Sequence, residues 1–180
     1  MISIDNYEQR SGVVTFKGNP LTLVGPDVQM GAKAPEFHVV ANDMSEVTLA
    51  SSKGKMRLIV SVPSLDTPVC DMEVRRFNQE MASMPNVQVL VVSMDLPFAQ
   101  SRWCGAAGIQ NVQTVSDYRT SSFGLAYGVL VKELRLDARA IFIIDANDTV
   151  VYKEIVSEMT QEPNYEAAMA VIKRQPAGVA

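Results

Sequence analysis

The chain has 180 residues, 47% hydrophobic and 20% charged, a composition suited to one globular domain over residues 1–180 with a sizeable core. A formal charge of −4 gives no cationic surface for nucleic acid, and no apolar run is long enough to span a membrane. Two cysteines and one histidine are too few for a disulfide-dense scaffold or an ordinary four-ligand zinc site, so a structural metal is not expected. Residues 1–12 carry Asp5, Glu8 and Arg10 where a signal peptide needs an apolar stretch, which predicts a soluble cytoplasmic protein.

In chain order, residues 13–16 and 21–24 alternate around the turn Lys17-Gly18-Asn19-Pro20 and predict an N-terminal β-hairpin over about residues 12–25. Residues 37–41 and 47–50 are two short extended pieces. Residues 58–62 form a β-rich run suited to burial on both faces, and Pro63 stops it, which predicts a central strand. From Pro68 the period changes: Val74, Phe77, Met81 and Met84 recur at three- and four-residue spacing, as on one helix face. A strand at 87–93, a helix from Pro97 to about Ala107 and a weaker strand at 112–115 follow. This alternation predicts a parallel α/β core. Residues 140–144 and 149–156 flank the Asx-rich turn Asp145-Ala146-Asn147-Asp148 as a second hairpin, and Tyr165, Ala168, Met169 and Ile172 mark one face of a closing helix. The sum is an α/β class with a central mixed sheet flanked by helices, the thioredoxin-like pattern.

The chemistry-bearing candidate is Cys70. Thr67 suits an N-cap and Pro68 the first helical position, which puts Cys70 in the first turn. Unpaired backbone N–H groups and the positive end of the helix dipole favour a thiolate there. Taken alone, such a residue also suits a small packed hydrophobe. His38, in a short apolar run, would be the base of a cysteine hydrolase, and the thiol pair would equally serve a redox switch or binding module without turnover. Arg75 and Arg76 read as a solvated helix face.

The run Pro63-Ser64-Leu65-Asp66-Thr67-Pro68-Val69-Cys70 carries the pattern Pro-x-x-x-Thr-x-x-Cys. With residues 62–78 (VPSLDTPVCDMEVRRFN) and 95–104 (DLPFAQSRWC), it resembles the peroxiredoxin family, in particular the thiol peroxidases of the atypical two-cysteine kind. The likeness runs on through Ala138-Arg139-Ala140 and the Asp145 turn to Tyr165-Glu166-Ala167-Ala168. It implies a thioredoxin-like fold and a thioredoxin-dependent peroxidase acting on hydrogen peroxide or organic hydroperoxides, without metal, haem or flavin, and a homodimer. It also implies the roles. Cys70 attacks the peroxide, Thr67 hydrogen-bonds the thiolate and the peroxide, Arg139 supplies a guanidinium, Pro63 shields the site and shapes the loop, and Cys104 resolves the sulfenic acid as an intramolecular disulfide. The two cysteines fall on different predicted helices, and a disulfide needs Cα atoms within about 7 Å. Local unwinding is therefore predicted, with Gly105 and Gly108 making the second helix easy to loosen.

Overall fold

A computed structural model describes residues 2–175. In chain order these form β1 (Gln9–Phe16), β2 (Asn19–Val24), β3 (His38–Ala41), β4 (Glu46–Thr48), β5 (Met56–Ser61), α1 (Pro68–Glu80), β6 (Val87–Ser93), α2 (Pro97–Ala107), β7 (Gln113–Ser116), α3 (Ser122–Ala126), β8 (Leu130–Val131), β9 (Leu136–Asp137), β10 (Ala140–Ile144), β11 (Val150–Ile155) and α4 (Tyr165–Arg174). A seven-stranded sheet runs in the order β11-β10-β5-β6-β7-β3-β4. Its β5–β6 and β6–β7 pairs are parallel and the others antiparallel, which is the expected mixed sheet. No helix among the described residues is long and apolar enough to cross a membrane.

The apolar runs of β5, β6 and β10 follow from burial on both faces. Successive side chains alternate: Leu58, Val60, Val89, Val91, Ile141 and Ile143 pack under α1 and α4 with Val74, Phe77, Ala168 and Ile172. Ile59, Leu90, Val92, Phe142 and Ile144 point the other way, into a core with Phe37, Phe123 and Tyr127. Phe77 and Tyr165, with ring centroids 5.2 Å apart, tie α1 to α4.

The N-terminal hairpin forms, with β1 starting at Gln9, but it stands outside the main sheet. It heads a second, four-stranded sheet, β1-β2-β8-β9. The Thr15 N–H donates to the Ser157 carbonyl at 2.8 Å, and the Met159 N–H donates to the Thr15 carbonyl at 2.9 Å. The hairpin thus grips the segment ahead of α4.

Three local expectations change. The second extended piece ends at Thr48, whose hydroxyl accepts from the Ser51 N–H at 3.2 Å and starts a 3₁₀ turn over Leu49–Ser52. Helix α1 stops at Glu80, and Met81, still buried, lies in a 3₁₀ turn, Met81–Ser83. Elements α3, β8 and β9 have no counterpart among the expected elements, being too short to show a hydrophobic period.

Between these short elements lies a buried acid pair. The Asp117 carboxylate accepts from the Phe123 and Gly124 N–H groups at 3.0 and 2.8 Å and so caps α3. Asp137, in β9, is fully buried, and neither of its carboxyl oxygens has a hydrogen-bond partner. A Cβ on Gly124 would collide with its Oδ1, so α3 approaches through a residue without a side chain. Burial pushes Asp117 up to about 7, and burial together with the Asp117 charge holds Asp137 well above the usual carboxylate range. A carboxyl raised on folding binds its proton more tightly folded than unfolded. Its protonation therefore favours the fold fully below the unfolded value of ~4, and that contribution is lost as pH climbs through the folded value. Asp137→Asn, neutral at every pH, is expected to raise stability by about 2 kcal/mol at pH 8 and to change it little at about pH 4, where the unfolded carboxyl is still largely protonated, read by urea denaturation. An equal effect at both pH values would mean that Asp137 titrates normally.

Candidate active site

Strand β5 runs into Val62 and Pro63, both buried, and the chain turns through Ser64–Thr67 into α1. The Asp95 carboxylate holds this turn, accepting from the Ser64 hydroxyl at 2.7 Å, the Leu65 N–H at 2.8 Å and the Ser93 hydroxyl at 2.8 Å. Pro68 opens α1 as expected, its missing N–H being one that a helix start leaves unpaired. Thr67 occupies the N-cap position with extended backbone, but its hydroxyl makes no cap bond; it donates to the Ser64 carbonyl at 2.8 Å. The Thr67 side chain therefore braces the turn rather than contacting sulfur in this form.

Cys70 lies in the first turn of α1 and has no exposed surface. Arg139, immediately ahead of β10 and 2% exposed, aims its guanidinium at it: Nη2 is 3.4 Å from Cys70 Sγ. Two bonds to the Met159 carbonyl, from Nε at 3.2 Å and Nη2 at 2.9 Å, fix the fork. Nη1 donates to Glu73 Oε2 at 2.5 Å. Glu73, one helical turn beyond Cys70, is fully buried, and its other oxygen has no hydrogen-bond partner. Burial pushes the Glu73 carboxyl up to about 7, while the Arg139 charge pulls it down. Burial disfavours the guanidinium charge, but Glu73 and Cys70 more than offset this, so Arg139 stays above its ordinary value. Sequence reasoning missed Glu73, although its three-residue offset from Cys70 puts it on the same helix face. Asp95 entered only as the first residue of a motif.

Cys104 sits in the second half of α2, half-buried, with Sγ 3.2 Å from Thr114 Oγ1 on β7. Both cysteines are free thiols. Cys70 and Arg139 are thus brought together, with Pro63 buried in the turn ahead of α1, whereas the two sulfurs face groups at β10 and β7, with β5 and β6 between those strands. His38 is elsewhere, exposed on β3, with Nδ1 3.2 Å from Glu46 Oε2. A cavity of about 250 Å³ opens beside the turn, lined by Leu65, Asp66, Asp95, Ala99, Arg102 and Trp103 among others.

A thiol at a helix N-terminus with a fixed guanidinium against it is placed to react as a nucleophile, and the same fork can stabilise negative charge on a departing oxygen. The redoxin family matches residues 29–169. The thiol peroxidase of Halalkalibacterium halodurans is 59% identical over 160 residues, 89% of this chain and 96% of that protein. That of Bacillus subtilis is 54% identical over 89% of this chain and 98% of its own. Among solved structures, a peroxiredoxin-like protein from Aquifex aeolicus superposes with a TM-score of 0.85 at 46% identity, covering 93% of this chain and 97% of that one. The thiol peroxidase from Chromobacterium violaceum, with a TM-score of 0.81 at 23% identity over 94% of this chain and 96% of its own, shares the fold. The chain belongs to the redoxin family and, within it, to the thiol peroxidases of the peroxiredoxin type, enzymes that reduce peroxides at a cysteine thiol.

Proposed function

We propose that Cys70 is the peroxide-reducing thiol, that Arg139 is its charged donor, and that Cys104 resolves the oxidised form. The 3.4 Å approach of Arg139 Nη2 to a buried Cys70 Sγ in the first turn of α1 carries this reading. The Cys70 thiolate attacks one peroxide oxygen; the S–O bond forms and the O–O bond breaks. The departing hydroxide or alkoxide, held by the guanidinium, takes a proton and leaves as water or alcohol. Cys70 is then a sulfenic acid. Because the sulfur has no exposed surface, hydrogen peroxide or an organic hydroperoxide enters by displacing the turn over residues 63–67, exposed at Asp66 and Thr67. Pro63, buried in the turn, shields the site and shapes the loop, and the Thr67 hydroxyl, released from Ser64, becomes available to thiolate and peroxide.

Cys104 then condenses with the sulfenic acid, and a thioredoxin-type dithiol reduces the resulting disulfide by exchange. Such a cycle uses thiols alone and suits a reducing cytoplasm. We assign the whole chain to one domain, working as a homodimer. The test is peroxide consumption with thioredoxin, thioredoxin reductase and NADPH. Wild type is expected to turn over steadily, and Cys104→Ser to consume one equivalent of peroxide per chain and stall as sulfenic acid. Normal cycling by Cys104→Ser would remove Cys104 from the reaction.

A further inference from the structure

The stretch of α2 that carries Cys104 lies between two firm anchors. At its start, buried Gln100 donates to the Ser93 hydroxyl at 3.0 Å and the Val115 carbonyl at 2.9 Å. Beyond its end, Asn78 of α1 accepts from the Gln110 and Asn111 N–H groups at 3.1 and 2.7 Å. Between them α2 has no fully buried residue, Trp103 packs half-buried against the core under α1, and Gly108 ends the helix in the left-handed region. The polar contacts that hold this stretch to α1 centre on one carboxylate. Trp103 Nε1 donates to Asp71 Oδ1 at 2.9 Å, and Arg75 Nε donates to Asp71 Oδ2 at 2.9 Å. Arg75 in turn donates to the Ala107 carbonyl at 3.4 Å and lies 5.7 Å from the Trp103 ring centre. Asp71 follows Cys70 in the chain, and Trp103 precedes Cys104.

We propose that Asp71 and Trp103 form a latch between the two cysteine-bearing helices, and that its opening governs how often Cys104 reaches oxidised Cys70. They are positioning residues for the resolving step, and the proposal rests on the two-cysteine cycle above. Cys104 cannot leave Thr114 and cross to Cys70 while the indole next to it is held by Asp71. The Asp71 side chain is 34% exposed, so the bond is sheltered enough to hold and wet enough to break.

The latch sets the outcome of a competition. In resolution the Cys104 thiolate attacks the sulfenic sulfur, the S–S bond forms, the S–O bond breaks, and hydroxide leaves as water with a proton. In the competing reaction the sulfenate sulfur attacks a second peroxide, gains its oxygen to become sulfinate, and releases water or alcohol. A tight latch favours the second and a loose one the first. Losing a hydrogen bond to a charged group is expected to make opening about tenfold more frequent.

Two measurements test this. In the reduced protein, without peroxide, amide hydrogen exchange over residues 101–109 is expected to quicken about tenfold in Asp71→Ala and in Trp103→Phe. Unchanged exchange in both would overturn the latch whether or not Cys104 resolves Cys70. With hydrogen peroxide added, mass spectrometry of quenched samples follows the disulfide and the sulfinic acid. Disulfide formation is expected about tenfold faster in Asp71→Ala and Trp103→Phe, with less sulfinic acid at high peroxide. Asp71→Asn keeps an acceptor oxygen for Trp103 without the charge. It is expected to share the first oxidation rate of Asp71→Ala but to resolve more slowly than that variant. Wild-type resolution in both Asp71→Ala and Trp103→Phe refutes the latch, and no disulfide in wild type refutes the cycle itself.

Discussion

Arg139→Leu is expected to lower stability by about 3–5 kcal/mol and to slow the reaction of Cys70 with peroxide by about 100- to 1000-fold. The stability loss has a specific origin. Glu73 is fully buried and, among the described residues, pairs with the one cation Arg139 at 2.5 Å, so removing the guanidinium strands a carboxyl in the core. With the downward pull of Arg139 gone, Glu73 moves further above about 7 and takes up a proton at neutral pH. The reactivity loss has another origin, because the thiolate loses its neighbouring cation and the departing oxygen loses its donor. The double variant Arg139→Leu with Glu73→Gln separates them. It is expected to regain much of the stability in urea denaturation and none of the peroxide reactivity in stopped-flow measurement. Recovered reactivity would mean that Arg139 acts only by keeping the core folded.

Cys70→Ser is expected to bring peroxide turnover below detection. A serine hydroxyl is un-ionised at neutral pH and has no sulfur lone pair to accept an oxygen, so neither the charge at the helix start nor the guanidinium can substitute for the lost atom. Arg139 keeps its bonds to Glu73 and to the Met159 carbonyl, so the fold is expected to survive, as far-UV circular dichroism would show. Mass spectrometry after peroxide treatment should find residue 104 largely as the thiol. Retained turnover would place the nucleophile at Cys104.

The legible parts of the fold were those whose physics is local. The buried runs of β5, β6 and β10 declare themselves because both faces are covered, and Pro68 and Pro97 mark helix starts by their fixed backbone angle. The motif around Cys70 was legible for the same reason, since Pro63 to Cys70 is one continuous turn into a helix. Less legible was whatever depends on a partner distant in sequence. Glu73 looks like a surface carboxylate until Arg139, 66 residues on, arrives beside it. Asp137 carries no sign that β9 will bury it against Asp117, and the hairpin's alternation does not say which sheet it joins. The residue type of Thr67 suits capping, whereas the Ser64 carbonyl, fixed by the turn that Asp95 holds, competes for its hydroxyl.

The grip of the N-terminal hairpin on the segment ahead of α4 bears on how the enzyme comes into being during synthesis. Thr15 bonds to Ser157 across 142 residues, and the carbonyl that steadies Arg139 belongs to Met159 within the same clasp. A growing chain that has already emerged past Cys70 therefore carries its thiol without the arginine, and the residues around Thr15 must wait for those around Met159 before the fork is set. The guanidinium beside the Cys70 sulfur is in this way a product of both halves of the clasp coming together, and not of α1 alone.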